Sequence, residues 1–392
     1  MPGEVAQTPT FRHASRLQDG RALVLDVWSV FNAANLPADT INLGQGYMNF
    51  APPEWARAGA EDALAGVDGN HYAPPKGIKG FYGTEFGKEL DIETEIVVTS
   101  GANEGQYSAF AAFIESGDEV IIFEPFFDQY LPSIAFQGGK CVYVPLHPND
   151  CDNTPHNPVG KVFTRAELQG IARVAQEHNL IVMSDEVYEK LVFDENEHVR
   201  IAALPGMWER TITVGSAGKL FAATGWRIGW LVGPPALIGP TLAASTRIIF
   251  CSNSPMQEAA AAGLERAAAH NFFAKQVKEY EERRSVLVDA FESLGLQYTW
   301  PEGSYFILLD VSRVQWPQDF PFPPTIQARG RDFKAAWFLA NEIGVSCIPV
   351  TDFYCEEHVG IGENYARFAF CKDLDTLRRA AERLQRLREF IV

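Results

Sequence analysis

Five short runs of apolar, mostly β-branched residues recur through the middle of the chain: EIVVT (95–99), EVIIF (119–123), VYVPL (142–146), LIVMS (180–184) and TITV (211–214). Most are apolar at consecutive rather than alternate positions, so both faces of each strand need cover. Strands of that kind sit between helical layers. GWLVG (229–233) is a candidate for one more. The intervening segments supply the helices. ANEGQYSAFAAFI (102–114) stops before Ser116-Gly117, and the segment 164–178 opens with Thr164 and Glu167 in capping-box spacing, then sets Leu168, Ile171 and Val174 on one stripe. Strand, helix, strand in repetition predicts a doubly wound α/β domain with a mostly parallel central sheet.

The character changes near residue 259. An Ala-, Glu- and Arg-rich helical region runs to 294, followed by TWPEGSYFILLDV, a Pro- and Phe-rich loop (314–333) and a final amphipathic helix in DLDTLRRAAERLQRLREF. A chain of 392 residues accommodates two domains. The expected division is a large α/β domain over 54–262 and a smaller α+β domain built from 1–53 and 263–392.

A formal charge of −17 argues against coating a nucleic acid, which needs clustered Lys and Arg. Without a run of 18 apolar residues, no membrane-spanning helix is expected. The six cysteines (Cys141, Cys151, Cys251, Cys347, Cys355, Cys371) are scattered without a C-x-x-C pair, as in reduced intracellular proteins. The first twenty residues lack an apolar signal core and include Glu4 and Asp19. A cytoplasmic location is expected, with a mitochondrial one as the alternative. Neither metal-ligand spacing nor a Ser-His-Asp signature is visible.

Chemistry concentrates in TVGSAGKLFAATGWRIGW (213–230). A strand ends at Val214, and the small residues Gly215-Ser216-Ala217-Gly218 deliver Lys219 into a turn that a bulky ligand can approach closely. Burial at a strand end lowers a lysine's pKa and makes it a base or nucleophile. Eight residues on, Arg227 offers a fixed cation suited to a phosphate. A lone lysine is usually a solvated surface residue; this apolar, glycine-rich setting favours the functional reading.

Ser216-Ala217-Gly218-Lys219, followed by Thr224-Gly225-Trp226-Arg227-Ile228-Gly229-Trp230, resembles the lysine signature of class I/II aminotransferases, fold type I enzymes dependent on pyridoxal phosphate. INLGQGY, EPFFDQY, NTPHNPVGKVF, SDEVYE and PGMWERTITVGSAGK resemble the kynurenine aminotransferase and cysteine-S-conjugate β-lyase branch, in consistent order from about Trp28 onward. The resemblance implies that Lys219 holds the cofactor and shuttles a proton, and that Asp185 sits beside the pyridine nitrogen. It further implies that Tyr188 and Asn157 bond the ring O3′ and Phe127 stacks on the ring. Ala102, Asn103, Ser216 and Arg227 would cup the phosphate, with the first two at a helix N-terminus. Tyr72 would reach the phosphate of a neighbouring subunit, which implies a homodimer. Arg367 would grip the substrate α-carboxylate. Gly46, Trp28 and Asn157 would line a pocket for large or aromatic amino acids. Asp185 could otherwise be a helix cap, and Phe127 a core aromatic. Transamination with a 2-oxo acid is the leading expectation; β-elimination from cysteine conjugates and a catalytically weakened cofactor-binding paralogue are the alternatives.

Two places depart from the family's pattern. The strand matching CVYVPL is normally followed by a helix and a further buried strand, which delivers the Asn-Thr-Pro loop. Here only six residues (147–152) precede Asn153, whereas a crossover between parallel strands needs at least about 10–12. One helix and one strand are therefore missing from the expected sheet. Either an irregular loop brings Asn157 into place, or the sheet stays open there. Secondly, Gly77, Gly80, Gly83 and Gly87 crowd a segment that is usually helical; at about 1 kcal/mol each relative to Ala, they shorten or abolish that helix.

Overall fold

The computed structural model describes residues 27–32, 36–72, 82, 85–147 and 155–392. The run Ile96–Thr99 (β2) is buried throughout and pairs with Gly229–Val232 (β7); β7 pairs with Thr211–Ser216 (β6), and β6 with Val182–Asp185 (β5). β5 and β6 are parallel, while β7 runs antiparallel to both its neighbours. Close packing of β7 depends on glycine. A Cβ on Gly215 would lie 2.1 Å from the Trp230 indole nitrogen.

Helices cover this sheet as the sequence predicts. Ala102–Phe113 (α3) follows β2, and Arg165–Glu177 (α5) begins with a complete Thr164–Glu167 capping box. Such a box satisfies two otherwise orphaned N–H donors. Leu168, Ala172 and Ala175 of α5 pack with Phe163, Val199, Ile201, Leu204 and Met207. Earlier in the chain, Val27–Asn32 forms α1, Ile41–Asn42 forms β1 and Glu54–Ala65 forms α2.

Among the described residues the expected gap is present. Glu119–Glu124 (β3) and Lys140–Pro145 (β4), joined by Tyr130–Gln137 (α4), form a parallel pair on their own, separate from the sheet β2-β7-β6-β5. Among the described residues no strand pairs with the free edges of β3 and β5. Residues 148–154, including Asn153, lie outside the described part. Ile121 and Val142 are register partners, hence on one face of the pair, and are 48% and 40% exposed. A helix crossing back over the pair would cover such a face, so among the described residues strand and helix are absent together. The glycine-rich departure at 77–83 falls almost wholly outside the described residues.

The helical region after 250 is two helices rather than one. Ser254–Ala267 (α8) and Phe272–Ser293 (α9) are separated at Asn271, whose φ is +48°. Phe306–Asp310 (β8) lies antiparallel to Tyr365–Ala369 (β11), which also pairs with Ile348–Pro349 (β10), while Val345–Ser346 (β9) pairs with β1 near the N-terminus. Leu374–Leu384, capped by Asp373, follows β11 and runs into a 3₁₀ segment, Gln385–Phe390.

Candidate active site

β6 ends at Ser216 and turns directly into the helical residues Ala217–Leu220, which throw Lys219 back over the C-terminal ends of β5 and β6. Its Nζ donates to Tyr305 Oη at 3.0 Å, and that hydroxyl donates to Gly46 O at 2.9 Å. Lys219 Nζ also lies 5.6 Å from the ring centres of both Tyr188 and Tyr305. Burial lowers its pKa to about 8, with Cys371 acting against that and Arg367 adding to it. Gly46 is needed on packing grounds, because a Cβ there would meet Phe306 at 2.8 Å and Tyr305 at 2.9 Å.

Asp185 and Glu186, adjacent at the end of β5, point to opposite sides as strand pleating requires. Asp185 faces the site. Its Oδ2 accepts from Tyr130 Oη and from Gln106 Nε2, both at 2.6 Å, and its Oδ1 accepts from Val187 N at 3.3 Å. Burial raises the Asp185 pKa against the pull of those donors and of Lys219. Glu186 turns away to Ser184, His198 and Arg200. Arg200 also binds Glu85 and Glu189, and it is held charged by these carboxylates despite its burial. This ion cluster anchors the segment 185–189 from behind.

A third group lies at the N-terminus of α3. Gly101 has φ +79° and ψ 162°, a conformation open in practice to glycine alone. A Cβ there would lie 2.4 Å from Arg227 Nη2, and one on Gly229 would lie 2.5 Å from Ala102 N. The guanidinium therefore rests directly over the peptide that opens α3. Ala102 and Asn103 carry the first N–H groups of the helix, where an anion is favoured. Arg227 is itself held in a left-handed turn (φ +53°), with Nη1 donating to Thr224 O.

Arg367, on β11, is 1% exposed. Nη1 donates to Asn157 Oδ1 and Nη2 to Gly44 O, each at 2.8 Å, and its guanidinium lies 4.2 Å from the Phe306 ring centre. Burial lowers its pKa to about 10, leaving it charged at neutral pH. Asn157 is therefore in the site despite the missing strand. Its loop is fixed by Val159 N donating to His156 Nδ1, Ser304 Oγ donating to His156 O, and Gly303 N donating to Gly160 O. Buried His156 is kept neutral, its pKa lowered by burial to about 3.

Most of the predicted residues converge. Lys219 interacts electrostatically with Asp185, Arg227 and Arg367, and Tyr188 with Asp185 and Arg367. Phe127 is half-buried, its ring 5.6 Å from that of Tyr130 and edge-on to it. Tyr72 stands apart, 78% exposed and packed edge-on against exposed Phe250. Trp28 lies on α1, with its side chain outside the described part. Tyr305, Tyr130 and Gln106 were not anticipated. Gln106 and Tyr130 stand in mixed segments and Tyr305 opens an apolar run, and only the fold turns their polar ends toward Asp185 and Lys219.

These residues fit pyridoxal phosphate: a lysine poised near neutrality, an aspartate held by two side-chain donors, and a glycine–arginine cradle that a Cβ would fill. The family model for aminotransferase class I and II matches residues 38–154 and 151–384, two stretches that meet at the shortened loop. The "Probable kynurenine--oxoglutarate transaminase BNA3" of Saccharomyces cerevisiae is 42% identical over 414 residues, covering 93% of each chain. Since 93% of 392 residues is about 365, roughly 50 of those 414 positions have no residue in this chain. The kynurenine--oxoglutarate transaminase of Dictyostelium discoideum is 37% identical, covering 93% of this chain and 94% of its own. The crystal structure of yeast Bna3p superposes with a TM-score of 0.91 at 40% identity, covering 98% of this chain and all of that one. N-Succinyldiaminopimelate aminotransferase from Mycobacterium tuberculosis gives 0.83 at 33% identity, covering 96% and 100%.

Proposed function

The chain belongs to the class I and II aminotransferases, and we propose that it transfers the amino group of kynurenine, or a similarly large aromatic amino acid, to a 2-oxo acid with pyridoxal phosphate as cofactor. The observation that carries this reading is the position of Lys219, whose pKa is about 8, among Asp185, Arg227 and Arg367. When bound, the cofactor supplies a carbonyl that receives the amino group and a ring that draws electrons from the substrate α-carbon.

This chain's residues do the rest. Arg227, Ser216 and the first N–H groups of α3 would hold the phosphate. Asp185 would keep a ring nitrogen protonated, its carboxylate oriented by Tyr130 and Gln106. Arg367 would take the α-carboxylate through two parallel N–H bonds, with Asn157 fixing the guanidinium plane. Lys219 would then move a proton at the α-carbon. With a pKa of about 8 a useful fraction of its amine is neutral near physiological pH. Tyr305 accepts from the amine and keeps it aimed. Exposed Tyr47 offers aromatic surface for a large side chain, and buried Phe306 and Phe353 pack against the Arg367 guanidinium.

The transaminase names of the relatives favour transfer over β-elimination, and the complete polar set disfavours a silent paralogue. The reading includes a cytoplasmic homodimer in which Tyr72 serves the neighbouring subunit. The exposure of Tyr72 and Phe250 on one patch supports the shared site. The division at 54–262 is part of the same proposal. Purified protein given pyridoxal phosphate, L-kynurenine and 2-oxoglutarate should show the cofactor's visible absorbance and form kynurenic acid, with both lost in Lys219→Ala. Folded protein that takes up no cofactor would refute the reading.

A further inference from the structure

A second cluster of reactive side chains stands outside the transamination site. Glu124 is the last residue of β3 and is fully buried; Cys355 is 4% exposed, and the His358 side chain reaches the surface at 26%. Glu124 Oε2, Cys355 Sγ and His358 Nδ1 all lie within 4.8 Å of one another. Sγ is 3.3 Å from Nδ1, and the same Nδ1 hydrogen-bonds Oε2. The other oxygen of Glu124 accepts the Cys355 backbone N–H. One carboxylate oxygen is thus tied down, and its partner is aimed at the ring nitrogen and the sulfur.

We propose that Glu124, Cys355 and His358 bind one Zn²⁺ ion. Thiolate, imidazole and carboxylate together form a donor set suited to zinc. With zinc–ligand bonds of about 2.0–2.3 Å, tetrahedral ligands stand roughly 3.3–3.7 Å apart. The sulfur–nitrogen spacing already lies at that value. Without the ion, Nδ1 and Oε2 share a hydrogen bond. Zinc takes the place of that hydrogen bond, moves the two atoms apart and displaces the thiol proton to solvent, while a proton held on Nδ1 passes to Nε2 or to solvent. Water takes the fourth position on the open side of His358. The Cys355 N–H bond to Glu124 serves as the outer contact that orients a ligating carboxylate. Sequence spacing could not reveal this site, because Glu124 lies 231 residues before Cys355.

The ion would clasp two walls of the active site. Glu124 lies three residues before Phe127, and Cys355 lies two residues after Phe353, whose ring centre is 5.2 Å from the Arg367 guanidinium. One hydrogen bond, Phe126 N to Phe353 O at 2.9 Å, already joins these segments.

The test uses the cofactor-loaded protein, stripped of metal with a chelator and titrated with Zn²⁺ alone against a chromophoric competitor. One ion per chain is expected, with affinity at least tenfold weaker in Cys355→Ser and in His358→Gln. Co²⁺ in place of Zn²⁺ should give a thiolate-to-cobalt absorption that Cys355→Ser abolishes. Cofactor absorbance and circular dichroism confirm that each variant is folded, and His358→Gln carries the test should Cys355→Ser not fold. Substoichiometric binding, or binding of equal strength in the folded variants, would overturn the proposal.

Discussion

Gly101→Ala isolates the cradle over α3. Backbone strain and cofactor affinity should separate there. The native conformation, φ +79° and ψ 162°, costs a residue with a Cβ about 1–3 kcal/mol, so urea unfolding of the cofactor-free protein should lose that much. The new Cβ would also stand 2.4 Å from Arg227 Nη2 and 2.8 Å from Cζ. The guanidinium is the flexible partner and must withdraw from its place above Ala102 N. Losing one charge-assisted hydrogen bond to a phosphate costs about 1.5–3 kcal/mol, which weakens pyridoxal phosphate binding roughly 10- to 150-fold. Titration of the cofactor-free variant, followed by visible absorbance, reads that change. Arg227→Ala should weaken binding too, and adding Gly101→Ala to it should cost little more, since both act on one contact. Unchanged affinity in Gly101→Ala, or full additivity in the double variant, would refute the reasoning.

The ionisation of Lys219 gives a second expectation. Its folded pKa, about 8, lies below the ordinary 10.5, so the unfolded chain holds more protons between those values and stability rises with pH across that window. The penalty is complete below about pH 8 and gone above 10.5. Lys219→Met should stabilise the cofactor-free protein at pH 7 by up to about 3 kcal/mol and flatten that slope, as urea titrations at several pH values would reveal. Tyr130→Phe removes one of two side-chain donors to Asp185 Oδ2; a kcat lower by roughly 10- to 100-fold with little change in KM is expected from steady-state assays. Arg367→Lys sacrifices the planar fork, so KM for the amino acid should rise about 100-fold in the same assays. Inserting a helix–strand crossover of the family's pattern between Leu146 and Pro155 should bury Ile121 and Val142, adding about 2 kcal/mol or more to the urea-unfolding free energy.

Much of the architecture is legible in the sequence because buried parallel strands must be apolar on both faces. Each predicted run from EIVVT to GWLVG became a strand, shifted by at most a few residues. The break between α8 and α9 was not legible, since nothing in Ala-rich sequence forces a left-handed turn at Asn271. The shortened crossover was legible as a length that no connection could span, and the isolated β3–β4 pair is its consequence. Among site residues, Lys219 and Asp185 stand out as charges at the ends of apolar runs and Arg367 as a charge within one, where burial needs a reason. Tyr305, Tyr130 and Gln106 do not. Tyrosine and glutamine are unremarkable in strands and helices until a partner 55 to 86 residues away is known. The length of its loop leaves the position of Asn157 open on sequence grounds, and its bond to Arg367 brings the loop to the site.

The central claim is that one chain takes an amino group from kynurenine and passes it on in two separate half-reactions. Protein loaded with pyridoxal phosphate and mixed with L-kynurenine alone should release kynurenic acid in an amount equal to the loaded chains and then stop. 2-Oxoglutarate, added afterwards, should yield the same amount of glutamate and restore the starting absorbance. Fully loaded protein that leaves kynurenine unchanged, or that goes on turning it over without an acceptor, would contradict the account.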